Sequence, residues 1–517
     1  MKNKVKVKIQ NIIHPFLFAI YPILFLYSNN IDQTPFTDTL IPLAVVLTFV
    51  ILSIMIGVVV KKIEKAALFV SLFIFLFFSF GHIYEASRGF KIYSLAMDGP
   101  NVLFYLWISI FILTSYFLIR ARRDLGSLTK MLNIIAIVLV AFPLTSIVSN
   151  EISGIYSDKE IDNPRKEAKT KGSLKEKDRL PDIYYIVLDG FASESTLNDV
   201  YDYNSSEFSK SLEEKGFFVV DEGRSNYALT WLSLSSFLNM EYINFMSEKY
   251  VSNDTHIHNK KRIRDNEVLR VLKRLGYKTV HINSGYTLTD GNENADLEVD
   301  CDNLNEFPRL LLETTLLNRF NSLIIGSGIR ERIHCSLSRI GSYADDEGPT
   351  YVFAHLVTPH PPNVFGRNGE IVTQEEKAKG GNYWGKRYLN QLIYISKKVE
   401  ELSDEIISKS KEPPIIIFQA DHGPMKTFYD DNNVDNGGWA SPTDENLKER
   451  MRIFNAIYVS EDKRDILYKD ITPVNMLRAV FNAYFDMDYE ILEDKSYYSN
   501  YETPYSFKDV TDVVDFN

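Results

Sequence analysis

Five apolar runs, each near the roughly 20 residues that a bilayer-spanning helix needs, crowd into the first 150 positions of this 517-residue chain. They lie at about 11–28, 38–60, 66–84, 100–119 and 130–149. The first run lacks a small-residue cleavage site and more runs follow it, so it reads as an anchor rather than a signal peptide. Basic residues mark alternate ends. Lys2, Lys4, Lys6 and Lys8 precede the first run, Lys61, Lys62 and Lys65 follow the second, and Arg120, Arg122 and Arg123 follow the fourth. The other connections hold Asp32 and Asp38, or the balanced set Glu85, Arg88, Lys91 and Asp98. Positive residues stay on the cytoplasmic side, which puts the N-terminus inside and everything after residue 150 outside. The expectation is a multi-pass protein of the cytoplasmic membrane. Its formal net charge of −11 argues against a nucleic-acid partner.

Residues 151–180 are charged and polar with little to bury, and read as a solvated, flexible tether. From 181 to 517 the pattern alternates between strand and helix. Strands are expected at Ile183–Leu188, Phe217–Val220, 276–282, Tyr351–Ala354, Ile415–Gln419 and Arg452–Val459. Helices are expected at Asn204–Lys215, Glu267–Leu275, Lys386–Ser408 and Thr472–Phe485. Short, continuously apolar strands between helices imply a mostly parallel sheet covered on both faces. The reading is thus a transmembrane domain at 1–150, a tether at 151–180 and an extracytoplasmic α/β/α domain at 181–517.

Three of these strands run into residues able to hold a metal. The first ends in Asp189, another carries His355 and leads to His360, and Ile415–Gln419 leads to Asp421-His422-Gly423. Parallel strands bring their carboxyl ends to one edge, where ligands bind in open α/β sheets. Asp189, Asp421, His422 and one of the two earlier histidines can therefore converge. Two carboxylates and an imidazole suit one divalent ion such as zinc or manganese. The blander reading of Asp421-His422 is a helix cap beside a core histidine. Thr230 opens a helical stretch, Thr230-Trp231-Leu232-Ser233-Leu234, where the helix dipole favours an alkoxide and free N–H groups can hold a phosphate oxygen. The alternative for Thr230 is an ordinary N-cap. His281 ends a strand-like run, and either lines the site or is a satisfied core histidine.

Together these residues resemble the alkaline-phosphatase/sulfatase superfamily in its membrane-anchored form, as in lipoteichoic acid synthases and phosphoethanolamine transferases. Asp189 matches the strand-end acid that binds metal in that family, which usually is Glu. Thr230 matches the nucleophile and metal ligand, and Asp421-His422-Gly423 matches the metal-binding Asp-His-Gly. His355 and His360-Pro361-Pro362 match a pattern whose second histidine contacts the transferred phosphoryl group or a second metal. The resemblance implies an α/β/α sandwich with catalytic Thr230 and His360, metal ligands Asp189, Thr230, Asp421 and His422, and substrate contacts from His355, His360 and His281. The segment Pro424–Trp439 lacks the further histidine that the transferases carry. The formylglycine signature of sulfatases is absent.

The resulting expectation is an enzyme that transfers or hydrolyses a phosphate-ester headgroup on a lipid or lipid-linked glycan, through a phospho-threonine and with one divalent ion. The alternatives are a phosphatase, phosphodiesterase or sulfuric ester hydrolase acting on soluble substrates, or a non-catalytic, membrane-tethered binding module. The sequence carries no signal for an oligomeric state. Cys301 and Cys335 are the only cysteines, and an oxidising compartment favours their pairing over two buried thiols.

Overall fold

The computed structural model of the chain describes residues 12–31, 34, 36–87, 91–92, 97–122, 124–157, 180–249, 257–301, 306–373, 383–430, 439 and 441–516. Lys2, Lys4, Lys6, Lys8, Asp32, Arg88, Arg123 and most of the tether, residues 158–179, lie outside the described residues, as do residues 431–438. Packing divides the chain into two compact units, Met1–Pro164 with Leu304–Ile325, and Arg165–Asn303 with Gly326–Asn517.

The first unit holds α1 (His14–Ser28), α2 (Thr37–Val59), α3 (Ile63–Ser87), α4 (Gly99–Arg120) and α5 (Gly126–Ser157). Four of them, α2 to α5, are long and apolar enough to cross a membrane; α1 is apolar but has 15 residues. Many large side chains on these helices face outward, with Ile41, Val59 and Phe142 all more than three-quarters exposed, as suits contact with lipid. Two polar side chains satisfy backbone groups inside the unit, as a hydrocarbon solvent favours. Asn133 accepts the N–H groups of Ile13 and His14 at 3.2 and 2.9 Å, and Lys65 donates to the carbonyls of Ile119 and Ala121 at 2.8 and 2.7 Å. A short helix at Glu306–Thr314, far along the chain, also packs here, burying Phe307 and Leu311 among Ala19, Ile23, Tyr27, Val70 and Ile74. Gly81 of α3 makes that approach possible, because a Cβ there would lie 2.1 Å from the Glu313 carbonyl oxygen.

The second unit is built on a seven-stranded sheet. Its strands are β1 (Ile183–Leu188), β2 (Phe218–Val219), β3 (Lys278–Ile282), β4 (Leu297–Val299), β5 (Thr350–Leu356), β6 (Ile415–Gln419) and β7 (Asn455–Tyr458), in the order β2-β7-β6-β1-β5-β3-β4. From β6 to β4 neighbouring strands run parallel, with β1 at the centre of the fold's chemistry. The sheet is mixed rather than uniformly parallel, because β7 runs antiparallel to β6 and β2 antiparallel to β7. After β6 the chain stays at the carboxyl edge and builds the Asp421-His422 turn. It then comes back down as β7, a return that needs no crossover helix.

All six residues of β1 are buried, as its unbroken apolar run required. Ile183, Tyr185 and Val187 join Tyr351, Phe353, Ile415 and Ile417 in one core, under α6 (Thr230–Phe237) and α9 (Pro473–Phe485). The long helix α7 (Tyr383–Lys409) buries Leu392, Ile395, Val399, Leu402 and Ile406 at helical spacing, and α8 (Asp444–Met451) opens with a capping box on Thr443. Glycines follow two of the helix ends, and Gly216 and Gly276 adopt φ of +101° and +85°. Cys301 and Cys335 are bridged, with Cα atoms 5.7 Å apart.

Asp182, just before β1, accepts the Thr350 N–H at 2.7 Å, and burial lifts its pKa from 3.8 to about 6. Between those values the folded protein holds a proton that the unfolded chain has lost, so this group's contribution to stability falls as pH rises from about 4 to 6. Asp182→Asn keeps an acceptor for Thr350 and removes the titration. We expect the variant to melt on the order of a few degrees higher than wild type at pH 7.5, with the gap closing at pH 4. Thermal melts of both proteins across that range check it; a variant that melts lower at pH 7.5 contradicts it.

Candidate metal centre

The strands β6, β1 and β5 are adjacent and parallel, so their carboxyl ends share one edge of the sheet. His355 sits in β5 opposite Val187, Asp189 follows β1, and Asp421 follows β6 by two residues. Ligand atoms of Asp189, His355 and Asp421 all lie within 4.8 Å of one another, and all three residues are buried. His422 joins them: its Nε2 is 3.2 Å from Asp421 Oδ2 and 3.6 Å from Asp189 Oδ1. His355 Nε2 is 3.4 Å from Asp189 Oδ2. Thr230 Oγ1 lies 2.9 Å from His422 Nε2.

Several local devices hold this geometry. The N–H groups of Gly190 and His422 both donate to Asp421 Oδ1, at 3.1 and 2.9 Å, which leaves Oδ2 to face the site. His422 Nδ1 donates to the Gly423 carbonyl at 2.9 Å, so its proton is on Nδ1 and Nε2 presents a lone pair. His355 Nδ1 bonds the Thr289 hydroxyl at 2.8 Å, aiming Nε2 at Asp189. Gly423 must be glycine, since a Cβ would lie 2.1 Å from the Glu449 carbonyl oxygen. Thr230 is the first residue of α6, but the cap position belongs to Leu229. The threonine hydroxyl therefore faces His422 instead of closing the helix end.

Two carboxylates buried side by side repel each other. Burial and the Asp189 charge push the Asp421 carboxyl up to about 6. Burial acts on Asp189 as well, but the imidazoles of His360, His355 and His422 outweigh it and hold that group below the usual carboxylate range. Burial, and then the Arg450 charge, keep His422 well below the usual imidazole range, so it is neutral at pH 7. Asp189 Oδ1, Asp421 Oδ2 and His355 Nε2 are fully buried and have no hydrogen-bond partner. A native interior seldom leaves three such atoms together. One divalent cation satisfies all three and cancels the paired negative charge, so the residues fit a metal of the zinc or manganese type.

The other residues singled out in the sequence take distinct places. His360 is near but separate, its ring centroid 6.1 Å from that of His422, and its Nδ1 donates to the Pro361 carbonyl at 2.6 Å, leaving Nε2 available. His281 is buried behind the site, stacked on Phe353 at 5.4 Å, with Nε2 on the Thr289 carbonyl at 2.8 Å. Burial drops its pKa to about 4. It touches the centre only through Thr289 and His355.

Three supports were not singled out from sequence. Ser233 donates at 2.8 Å to both the Tyr227 and Asp421 carbonyls, tying the loop before Thr230 to the Asp-His-Gly turn. Arg450, fully buried in α8, does the same from below, donating to the carbonyls of Ala228 and Gly423 at 2.8 Å each. Its guanidinium also covers the Trp439 ring at 5.1 Å. Thr289 is the third. Ser233 stood within a recognised pattern, while Arg450 stood in a run of charged residues that reads as a solvated helix face.

We expect the purified protein to carry a divalent metal, and Asp421→Ala to lose it. The predicted change is at least 10-fold in occupancy, the scale that loss of even a supporting group costs a metal site. Elemental analysis of both proteins measures it, and full occupancy in the variant rules the centre out.

A family model described as sulfatase matches residues 181–480. Among solved structures, the C-terminal periplasmic domain of EcEptC from Escherichia coli is similar at 12% identity, covering 67% of this chain and 96% of its own, with a TM-score of 0.42. The integral membrane lipooligosaccharide phosphoethanolamine transferase A from Neisseria meningitidis is similar at 12% identity over 92% of this chain and 94% of its own, with a TM-score of 0.40. The lipoteichoic acid synthase LtaP from Listeria monocytogenes is similar at 12% identity over 61% and 75%, with a TM-score of 0.37. No match was found among curated proteins. Those structural likenesses are too distant to carry an argument, but the family model spans more than half of the chain, and this protein, four of whose N-terminal helices are long and apolar enough to cross a membrane, belongs to the sulfatase family.

Proposed function

We propose that this protein transfers or hydrolyses a phosphate-ester headgroup of a membrane lipid or lipid-linked glycan at the outer face of the membrane, through a covalent phospho-threonine at Thr230. The observation that carries the reading is the Thr230 hydroxyl, held 2.9 Å from a neutral His422 at the start of α6 and beside the Asp189, His355 and Asp421 group.

In this reading Asp189, Asp421, His422 and Thr230 would hold the cation, with His355 Nε2 as a further donor to it. Bound there, a divalent ion lowers the pKa of a hydroxyl and neutralises charge on phosphoryl oxygens. Thr230 Oγ1 gives up its proton to water and bonds to phosphorus while the ester bond to the leaving alcohol breaks. The positive end of the α6 dipole, at Thr230, favours a phosphoryl oxygen. His360 meets the transferred group from the side of the β5 loop, and its Nε2 exchanges protons with the departing and arriving oxygens. Water or a second alcohol then takes the phosphoryl group from Thr230.

The membrane helices support a substrate that shares the bilayer. Confinement raises the effective concentration of embedded lipids and does nothing for freely diffusing metabolites. The alternation of basic loops supports five crossings with the N-terminus inside, and the Cys301–Cys335 bridge supports an oxidising compartment for the second unit.

Thr230→Ala is expected to abolish turnover, by roughly 10⁴-fold or more, and to abolish phosphate labelling at position 230 in mass spectra of the trapped enzyme. A variant that keeps its rate removes the nucleophile assignment. Full-length protein reconstituted in vesicles should act much faster on a lipid in its own bilayer than on the same lipid in separate vesicles. Equal rates end the lipid reading. A reporter fused after Asn517 and active only outside the cytoplasm should be active, and a silent one reverses the topology.

A further inference from the structure

The chemistry above needs His360 at a set distance from Asp189, yet the two residues leave the sheet on different loops. One backbone link joins them directly: the His360 N–H donates to the Asp189 carbonyl at 2.9 Å. The rest of the control comes from α7, through two side chains one turn apart on the same helix face.

Tyr388 is fully buried, and its hydroxyl serves the loop after Asp189 twice. It donates to the Gly190 carbonyl at 2.8 Å and accepts the Ala192 N–H at 3.1 Å. Gln391, also fully buried, serves the loop of His360 four times. Its Nε2 donates to the carbonyls of Pro359 and His360 at 3.1 and 3.2 Å. Its Oε1 accepts the N–H groups of Val364 and Phe365 at 2.7 and 3.1 Å. All four hydrogen-bonding positions of one amide thus go to the backbone of residues 359–365, an irregular segment outside the main sheet in which Phe365 alone bridges another residue, Ile371. A glutamine needed only for packing has no reason to spend every bond on one loop.

We propose that Gln391, backed by Tyr388, is a positioning residue that sets where His360 stands relative to Asp189 and Thr230. Gln391 acts through the loop and touches neither metal nor substrate. The catalytic part of this inference rests on the function proposed above; the pinning of the loop does not.

The experiment uses full-length, metal-loaded protein carrying Gln391→Leu, which keeps the volume and removes the bonds. Metal content should be unchanged. Amide hydrogen exchange at Val364 and Phe365 should speed up by at least 10-fold, and kcat on a soluble phosphodiester should fall about 100-fold with KM little altered, the scale of a catalytic group misplaced by about 1 Å. In a His360→Ala background the same substitution should cost nothing more, because its whole effect passes through that imidazole. Gln391→Glu, a second variant in case the first folds poorly, keeps the acceptor and loses the donors. It should keep Val364 and Phe365 protected while still lowering kcat.

Unchanged exchange in Gln391→Leu overturns the pinning. Losses that multiply in the double variant, or wild-type kcat in Gln391→Glu, overturn the route through His360. A wild-type protein with no turnover on any phosphodiester overturns the proposed function instead, and the exchange measurement still decides the pinning.

Discussion

Two carboxylates buried against each other at the end of a parallel sheet set the terms for the whole second unit. Asp189 and Asp421 have almost no access to water, and neither has a lysine or arginine pairing with it among the described residues. Burial and mutual repulsion make a second charge there costly, and the rise of Asp421 to about 6 reflects both. The surrounding groups are arranged to keep the two oxygens pointed inward rather than to relieve them. Two backbone N–H groups occupy one oxygen of Asp421, and His355 and His422 are each locked with their Nε2 toward the pair. A site organised in this way fits a cation, and in the proposed reaction Thr230 is the hydroxyl beside it.

The scaffold makes the arrangement possible through a single topological fact. Three neighbouring parallel strands end together, and each hands over to a loop carrying a ligand or a histidine. Loops alone do not hold ångström-scale geometry, so buried side chains stitch them. Ser233 and Arg450 bind the Thr230 loop to the Asp-His-Gly turn, while Tyr388 and Gln391 bind the Asp189 loop and the His360 loop to one helix. Arg450 does more than stitch. After burial itself, its guanidinium is the next influence that keeps His422 neutral, with a lone pair a cation could take.

Much of this was legible in the residues themselves. The β1 strand came out at Ile183–Leu188 and β6 at Ile415–Gln419 because short, wholly apolar runs have few other uses in a water-soluble domain. The helix starting at Thr230 followed from local chemistry, and the bridge between the two cysteines from the compartment expected for them. The short strand Leu297–Val299 escaped notice because most of its side chains are exposed, and exposed edge strands carry no apolar signature. The antiparallel course of β7 escaped too, since alternation of elements does not encode the direction in which a strand enters a sheet. The helix at Glu306–Thr314 looked like any other part of the later domain, and nothing in its composition said that it packs among the N-terminal helices.

The sequence by itself determined which segments are apolar enough to leave water, where the main strands begin and end, and which carboxylates, imidazoles and hydroxyls stand at their ends. These are local properties, set by side-chain volume, polarity and backbone freedom within a few residues. Only the tertiary structure decided which of those groups meet. It put the imidazole of His355 against the Asp189 carboxylate, set His281 one residue behind the centre, turned the Thr230 hydroxyl toward His422 instead of the helix end, and drew Arg450 and Gln391 into the interior. Distances between residues 30 to 230 positions apart depend on how strands pair and helices dock, and no window of sequence contains both partners.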